Sequence, residues 1–421
     1  VDTIMSGHYH ANDLAAVAVG NSLWLPLYLL VSGLLIATTT MVARFNGAGD
    51  KLAIVTTAQQ SIWVALIAAL LASAALMNIE LVLVWLALEP ELVRITDGYL
   101  YAIAFGFPAA AIFNGLRGFT EGMGRTKPYM ISSLLAFLAN IPLNYALIYG
   151  VWGLPEMGGV GCGWATAMSM WIQVLVLVWF TSRSQDYAGV DIYQGWQRPN
   201  LKEMRKVFSL GFPIALAVFA EVSIFSAIAL LLAPLGALVV AGHQIALSVS
   251  HMIFMLPLSL SQAITIRVGF FLGRGEQHLA NAVARTGIIG AGLLSMFTMV
   301  MILSFRETIV AWFTSDIEVQ LLAVSVFVFM AIYQFPDHVQ IAANAALRAY
   351  HDTRVPLLLI LLAYWVVALP LGYVLARTEL LGEPIAAKGF WIGLLAGLSI
   401  TGVLLTLRLY RIASRPLAQP K

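Results

Sequence analysis

The sequence is poor in charge and contains almost no cysteine. Only 10% of its 421 residues are Asp, Glu, Lys or Arg, whereas soluble domains contain roughly 25%. The single cysteine, Cys162, excludes an intramolecular disulfide and a metal site built from several thiolates. The dipeptide Gly-Lys is absent, so the chain lacks a Walker A loop. Active transport would therefore depend on an ion gradient or on a separate motor subunit.

Apolar residues are abundant and make up 60% of the chain. Apolar runs of about 20 residues, long enough to cross a bilayer of ~30 Å, recur throughout. The pattern predicts an all-α membrane protein with twelve transmembrane spans. The predicted ranges are 1–7, 15–43, 53–79, 95–117, 128–149, 159–182, 206–232, 238–268, 282–304, 318–348, 356–376 and 389–410. The first is shorter than a span, so we expect residue 1 to lie inside a helix that begins before it.

The basic residues support this count and predict an orientation. Nineteen of the 23 Lys and Arg residues fall in even-numbered loops or in the C-terminal tail, which includes Lys421. The odd-numbered loops hold only Arg94, Arg306, Arg377 and Lys388. Cytoplasmic loops carry the excess of basic residues. The distribution therefore predicts that both termini are cytoplasmic.

An internal repeat divides the chain into two halves. An offset of 228 residues pairs Phe107-Pro108 with Phe335-Pro336, Pro128 with Pro356, Pro142 with Pro370, Tyr145 with Tyr373 and Gly161 with Gly389. Internal repeats are common in transporters. We predict an N-terminal six-helix lobe (1–190), a cytoplasmic linker (191–205) and a C-terminal six-helix lobe (206–421). Because six is even, the lobes have the same topology and are related by a pseudo-two-fold axis along the membrane normal.

Three carboxylates within predicted spans are the strongest functional signal. Asp2 lies in the first span, Glu221 in the middle of the seventh and Asp337 in the middle of the tenth. A carboxylate inside a span costs about 2.5–3.5 kcal/mol on insertion scales, so such residues are usually functional. A polar stripe at helical spacing surrounds Asp337 and consists of Tyr333, Asp337, Gln340, Asn344 and Arg348.

These groups allow several kinds of chemistry. A buried carboxyl group can load and release protons, and two neighbouring ones titrate as a pair. The same oxygens, with the hydroxyl of Tyr333, can ligate a small hard cation such as Na⁺, or they can act as counter-ions for an organic cation. On the fifth span, Asn140 and Asn144 flank Pro142, and their repeat mates are not polar. The alternative for all of these residues is a hydrogen-bonded group that only holds helices together.

Other candidates are weaker. His243 fits a hydrogen-bonded packing residue better than a proton relay, and Cys162 fits a small residue packed against another helix. The motif GAGD (47–50) resembles that of intramembrane aspartyl proteases, but a tight interhelical turn explains it better. The Met and Phe residues of HMIFMLPLSL (251–260) suit either ordinary core or an adaptable drug-binding wall.

Several segments together resemble one transporter family. They are VDTIMSG at the start, GFTEGMGRTKP (118–128), LANIPLNYALIYG (138–150), GGVGCGWATA (158–167), FAEVSIF (219–225), PLGALVVAGHQIA (234–246) and YQFPDHVQIAANAALRAYHDT (333–353). They are similar to segments of the multidrug and toxic compound extrusion (MATE) family, in particular its NorM branch in Gram-negative bacteria. The resemblance covers nearly the whole chain.

The resemblance implies twelve helices in two lobes, a central cavity, and efflux of mostly cationic aromatic drugs in exchange for Na⁺ or H⁺ across the bacterial inner membrane. Asp2 matches the acidic residue of the family's first helix, with Asn140, Asn144 and Thr166 as its polar partners. Glu221, Tyr333 and Asp337 match the C-lobe cation site and are the candidate Na⁺ ligands.

The expected partners are small organic cations and membrane lipid. We expect no nucleic-acid partner, no cofactor other than the coupling ion, no enzymatic activity and a monomer. The rival within transport is a flippase for a lipid-linked precursor, which would need a wide basic cavity. The rival outside transport is a membrane enzyme in which Asp50 of GAGD would be catalytic.

Overall fold

The computed structural model describes residues 1–85, 89–187, 189–380 and 382–416, and within these ranges all regular structure is helical. Eleven helical stretches in the described part are long and apolar enough to cross a membrane, which confirms the predicted all-α class. One of them, Arg354–Arg377, consists of two short α-helices and the π-helix between them. The helices are α1 (Asp2–Tyr9), α2 (Ala11–Ala48), α3 (Lys51–Met77), α4 (Glu80–Trp85), α5 (Pro90–Gly122), α6 (Lys127–Tyr149), α7 (Gly159–Arg183), α8 (Leu201–Leu232), α9 (Ala237–Gly273), α10 (Gln277–Ala311), α11 (Ile317–Ala349), α12 (Arg354–Leu361), α13 (Leu369–Arg377) and α14 (Ala387–Ala413).

Each predicted span except 356–376 corresponds to one helix, and most of these helices are longer than predicted. The span 356–376 covers α12, a π-helix and α13. Helix α8 begins at Leu201 and α2 at Ala11, several residues before the apolar runs. Polar residues occupy these first turns, so hydropathy alone does not mark them. The first predicted span corresponds to α1, which is too short to cross a membrane. Lys421 lies outside the described residues.

The chain forms two compact units, Val1–Ala215 (unit 1) and Leu216–Lys421 (unit 2). Helix α8 begins in unit 1 and ends in unit 2, and Pro213 lies just before the boundary. Unit 1 buries an apolar cluster around Tyr99 and Phe107, and unit 2 buries one around Phe327 and Trp391. The boundaries of the predicted lobes stay a prediction.

The helix bounds reproduce the internal repeat. Helices α5, α6 and α7 begin at Pro90, Lys127 and Gly159, whereas α11, α12 and α14 begin at Ile317, Arg354 and Ala387. Between α12 and α13, Leu362–Ala368 form a π-helix just before Pro370. Such π-helical segments frequently occur at functional sites.

Two paired glycines show why the repeat keeps this residue. A Cβ atom on Gly161 would lie 2.6 Å from the carbonyl oxygen of Leu147, and one on Gly389 would lie 2.6 Å from the nitrogen of Ala376. In each unit, the glycine lets the backbones of two helices approach closely.

The motif GAGD forms a tight turn between α2 and α3, as predicted. Gly49 ends α2 in the left-handed conformation with φ of 70°, which glycine adopts without steric cost. The Asp50 side chain accepts a hydrogen bond of 2.9 Å from the Ala53 amide and so caps α3. Asp50 therefore has a structural role in this turn.

The segment 191–200, here called the strap, is fastened to α3 by two fully buried glutamines. Gln59 donates to the Ile192 carbonyl at 2.9 Å and accepts from the Gln197 amide at 3.1 Å. Gln60 donates to the Arg198 carbonyl at 3.0 Å and accepts from the Asn200 amide at 2.8 Å. Each amide side chain thus pairs with the strap backbone through both its donor and its acceptor.

Aromatic residues add to this attachment. The indole of Trp63 donates to the Gln197 carbonyl at 3.1 Å and packs edge-on against Trp196, with centroids 6.1 Å apart. The hydroxyl groups of Tyr193 and Thr181 share a hydrogen bond of 2.6 Å. Burial raises the pKa of Tyr193 to about 12, so its hydroxyl stays protonated at neutral pH. The predicted linker is therefore an ordered segment of unit 1 over most of its length.

Candidate functional site

The structure brings Glu221, Tyr333 and Asp337 together in unit 2. Glu221 projects from α8 and is half-buried, whereas Tyr333 and Asp337 project from α11 and are each 3% exposed. The Tyr333 hydroxyl is hydrogen-bonded to Asp337, and Glu221 is close enough for its charge to act on both. The site thus places two carboxylates and a phenol inside membrane-length helices. Tyr333 and Asp337 lie one turn apart on α11, and Glu221 faces them from α8.

Two further polar residues extend this site. The side-chain amide of Gln340, one turn beyond Asp337 on α11, donates to Glu221 Oε1 at 2.9 Å. Tyr364, in the π-helix, donates its hydroxyl to Gln340 Oε1 at 3.3 Å. Gln340 therefore fixes one carboxylate oxygen while Tyr364 fixes the orientation of Gln340. Sequence reasoning placed Gln340 on the polar stripe but missed Tyr364, because one tyrosine in an apolar run gives no periodic signal.

Arg348 is part of the same polar column rather than a loop residue. The count of nineteen basic residues in loops and tail includes Arg348, but this residue lies inside α11 and is only 7% exposed. Its guanidinium acts electrostatically on Glu221 and donates to the Ser261 hydroxyl at 3.5 Å. A buried guanidinium needs such compensation, because an unpaired buried charge is costly.

A second site in unit 1 gathers around Asp2 on α1. Thr166 on α7 donates its hydroxyl to Asp2 Oδ2 at 2.8 Å, and Asn144 on α6 donates to Asp2 Oδ1 at 2.9 Å. The Asn144 amide also donates to the backbone carbonyl of Asn140 at 3.0 Å. Asp2, Asn144 and Thr166 are therefore in direct contact through their side chains. Asn140 takes part through its main-chain carbonyl.

Cys162 lies beside this second site. Its side chain is fully buried, with the sulfur 3.9 Å from the backbone carbonyl of Asp2. This confirms the prediction of a small residue packed against another helix.

His243 differs from its prediction. The ring is buried, with 1% exposure, which fits a packing residue. Neither of its nitrogens has a hydrogen-bond partner in the structure, so the predicted hydrogen bonding is not observed. Its neighbour is the indole of Trp391, with ring centroids 5.9 Å apart.

The described residues contain no group of three or more His, Cys, Asp and Glu side chains arranged to hold a metal ion. The unit 2 site offers two carboxylates and one hydroxyl instead. Oxygen donors of this kind suit hard cations rather than soft transition metals. The oxygen atoms of this site are therefore compatible with Na⁺ or H⁺ as well as with an organic cation.

The family model for MatE matches residues 1–146 and 213–374, which is more than half of the chain. The chain belongs to the MatE family. The matched ranges contain Asp2 and Asn144 of the unit 1 site and the Glu221, Tyr333 and Asp337 cluster of unit 2.

The chain is also similar over nearly its whole length to three multidrug resistance proteins. The multidrug resistance protein PmpM of Pseudomonas aeruginosa is 43% identical over 420 residues, which cover 100% of this chain and 88% of that protein. The probable multidrug resistance protein NorM of Shewanella oneidensis is 44% identical over 409 residues, covering 97% and 89%. The multidrug resistance protein NorM of Aliivibrio fischeri is 40% identical over 416 residues, covering 99% and 90%.

Solved structures of the family share the fold. The eukaryotic MATE transporter AtDTX14 superimposes with a TM-score of 0.84 and 21% identity, covering 98% of this chain and 92% of that one. An outward-facing MATE family transporter superimposes with a TM-score of 0.87 and 20% identity, covering 98% and 90%. At these identities, the likeness concerns the fold alone.

Proposed function

We propose that this MatE-family chain is a secondary multidrug efflux transporter of the bacterial inner membrane. It exports cationic aromatic compounds in exchange for Na⁺ or H⁺ by alternating access, and so contributes to antibiotic resistance. The observation that carries the proposal is the Glu221, Tyr333 and Asp337 cluster, because paired carboxylates inside spans are costly and mark ion pathways.

The coupling cation binds at this cluster. Glu221 and Asp337 carry opposite charge to the cation, and the Tyr333 hydroxyl supplies a third oxygen beside Asp337. Gln340 holds Glu221 Oε1 at 2.9 Å, which limits reorganisation of that carboxylate when its load changes. Binding of a proton or of Na⁺ reduces the electrostatic repulsion between the carboxylates of Glu221 and Asp337.

Coupling then follows from linked equilibria. A ligand can shift a conformational equilibrium only by binding the two states unequally. If the cation favours the state that binds drug weakly, the drug must favour the state that binds the cation weakly, because linkage is reciprocal. Cation entry from outside therefore promotes drug release, and return of the cation inward resets the transporter.

The Asp2 site of unit 1 is a second acidic site within the same transporter. Its carboxylate has two neutral donors, Thr166 and Asn144, at 2.8 and 2.9 Å. These two hydrogen bonds fix the orientation of the carboxylate. An incoming cation or cationic drug binds at Asp2 in this orientation.

The test is efflux of ethidium from proteoliposomes, driven in turn by a Na⁺ gradient alone and by a pH gradient alone. We expect one gradient or both to drive efflux in the wild type, and Asp337→Asn to lose this drive. Glu307→Gln, which changes an exposed carboxylate of α10, is the control and should behave like the wild type. Efflux that survives in both Asp337→Asn and Glu221→Gln would contradict the proposal.

The alternative is a lipid-linked precursor flippase, and the same preparation tests it. If neither gradient moves ethidium, translocation of a fluorescent pyrophosphate-linked lipid should be measured next. Arg348, a buried basic residue of unit 2, already acts on Glu221, which favours efflux of cations.

A further inference from the structure

Two neighbouring side chains in the core of unit 2 are buried with polar atoms that lack hydrogen bonds. Both imidazole nitrogens of His243 and the indole Nε1 of Trp391 are buried without a partner. Their rings lie against each other, with centroids 5.9 Å apart. Buried polar groups are nearly always satisfied, and the explanations for an exception are strain, a catalytic or redox role, or an ordered water molecule or ion.

These two rings connect directly to the carboxylate site. Trp391 also meets Tyr333 edge-on, with centroids 5.4 Å apart, and Tyr333 is hydrogen-bonded to Asp337. The imidazole, the indole, the phenol and the carboxylate therefore form an unbroken series of contacts. Phe327, Met330 and Phe390, which are apolar and fully buried, belong to the same cluster.

The series extends the site towards one end of unit 2. Successive spans alternate in direction, so α9, α11 and α14 all begin at the same end. His243 follows the start of α9 at Ala237 by about 9 Å, and Trp391 follows the start of α14 at Ala387 by about 6 Å, at 1.5 Å per residue. Arg348 lies at the opposite end of α11. By the predicted orientation, His243 and Trp391 lie towards the extracellular end.

We propose that His243 and Trp391 line a hydrated path by which the coupling cation reaches Asp337 and Glu221 from this end. Each unpartnered nitrogen of the two rings is a polar partner for a water molecule of this path. Water molecules along the path in turn supply the missing hydrogen bonds of both rings. This inference rests on the proposed coupling role of the two carboxylates.

Substitution of a residue that lines the path and substitution of a residue that binds the cation should have different effects on cation binding. Removing a path residue slows arrival of the cation but leaves its equilibrium affinity unchanged. Removing a site residue changes the affinity itself. A residue that only packs the core changes thermal stability, and a polar substitute would not rescue it.

The experiment measures cation-triggered release of pre-bound ethidium from the reconstituted transporter by stopped flow. One arm adds NaCl at constant pH, and the other lowers the pH without Na⁺, so the arms distinguish the two cations. The key variant is His243→Phe, which keeps a ring but removes both nitrogens. His243→Gln restores polar atoms, and His251→Phe is a matched control on the exposed face of the same helix.

We expect His243→Phe to slow release about tenfold, because the path loses the polar atoms that hold its water, with the midpoint and melting temperature unchanged. His243→Gln and His251→Phe should release dye at nearly the wild-type rate. Trp391→Phe keeps a ring against Tyr333 but removes Nε1, so it should also slow release. If His243→Phe does not fold, Trp391→Phe decides the question.

The proposed path would be wrong if His243→Phe and Trp391→Phe both released dye at the wild-type rate. It would also be wrong if His243→Phe and His243→Gln slowed release equally. Asp337→Asn separates this failure from failure of the coupling site. If Asp337→Asn abolishes the equilibrium response while the Phe variants match the wild type, the coupling proposal stands and the path falls. If Asp337→Asn keeps the wild-type midpoint, the coupling proposal itself fails.

Discussion

At the scale of single residues, Gln340 has the most demanding role in unit 2, because it bonds Glu221 and accepts from Tyr364 at once. Gln340→Leu removes both interactions and leaves a carboxylate oxygen without its donor, which costs about 1–3 kcal/mol. We expect a lower melting temperature and a cation midpoint shifted about tenfold. Tyr364→Phe, which removes only the 3.3 Å bond, should have a smaller effect on both quantities. A larger effect of Tyr364→Phe would contradict this order.

The Asp2 site allows a comparison of three predicted partners. Thr166→Val and Asn144→Leu each remove a direct bond to the carboxylate, and a typical hydrogen bond contributes about 0.5–1.5 kcal/mol. We expect each variant to weaken dye or cation binding at this site by about tenfold. Asn140→Ala leaves the backbone carbonyl that Asn144 uses, so its binding should stay near wild type. Equal losses in all three variants would show that the Asn140 side chain also holds Asp2.

Sequence reasoning could identify the charged members of both sites because carboxylates within apolar runs are conspicuous. Asp2, Glu221 and Asp337 each interrupt such a run, and Tyr333 shares the helical face of Asp337. The same reasoning could not identify Tyr364, which contacts the site only because the π-helix and Gln340 bring it there. Nor could it show that the nitrogens of His243 are unpartnered, since that depends on the neighbours that packing supplies.

At the scale of secondary-structure elements, the paired glycines Gly161 and Gly389 set the distance between helices. Gly389→Ala would place a methyl group 2.6 Å from the backbone of α13, and overpacking of this kind costs about 1–3 kcal/mol. We expect a clear loss of thermal stability in detergent. Gly290→Ala on α10 is the matched control, because no atom lies within 4 Å of its Cβ position. It should be neutral or stabilising by up to ~1 kcal/mol.

The strap offers a second test at this scale. Gln60→Ala removes the donor to Arg198 and the acceptor for the Asn200 amide. We expect the Asn200 amide to exchange hydrogen at least about tenfold faster. In the variant, the strap can open without breaking the two Gln60 hydrogen bonds, each of which contributes about 1 kcal/mol. Mass spectrometry of peptides that cover 191–200 measures this rate. Gln194→Ala, an exposed change within the strap, should leave the exchange unchanged; faster exchange there would mean that the strap opens without help from the glutamines.

Helix number and approximate position could be predicted because each span must be apolar and close to bilayer length. The strap could not, because its order depends on Gln59 and Gln60, which read in sequence only as two polar residues near the start of a span. The repeat offset did predict equivalent contacts, as Gly161 and Gly389 show. It could not predict the π-helix before Pro370, since Pro142 lies in an uninterrupted α-helix.

At the scale of the whole molecule, the uneven distribution of basic residues determines which loops should face the cytoplasm. Cys162 is the only cysteine and is buried, so Cys162→Ala provides a background for labelling introduced thiols. Trp312 and Leu380 lie in odd-numbered loops and are 79% and 78% exposed, whereas Leu201 lies at an even-numbered loop and is 82% exposed.

In intact cells, we expect a membrane-impermeant maleimide to label Trp312→Cys and Leu380→Cys but not Leu201→Cys. Permeabilisation should make the third position reactive, because the excess of Lys and Arg retains that loop in the cytoplasm. The reverse pattern would place both termini outside. It would also direct the end of unit 2 that contains His243 towards the cytoplasm, so the cation path inferred above would then open on the inner side of the membrane.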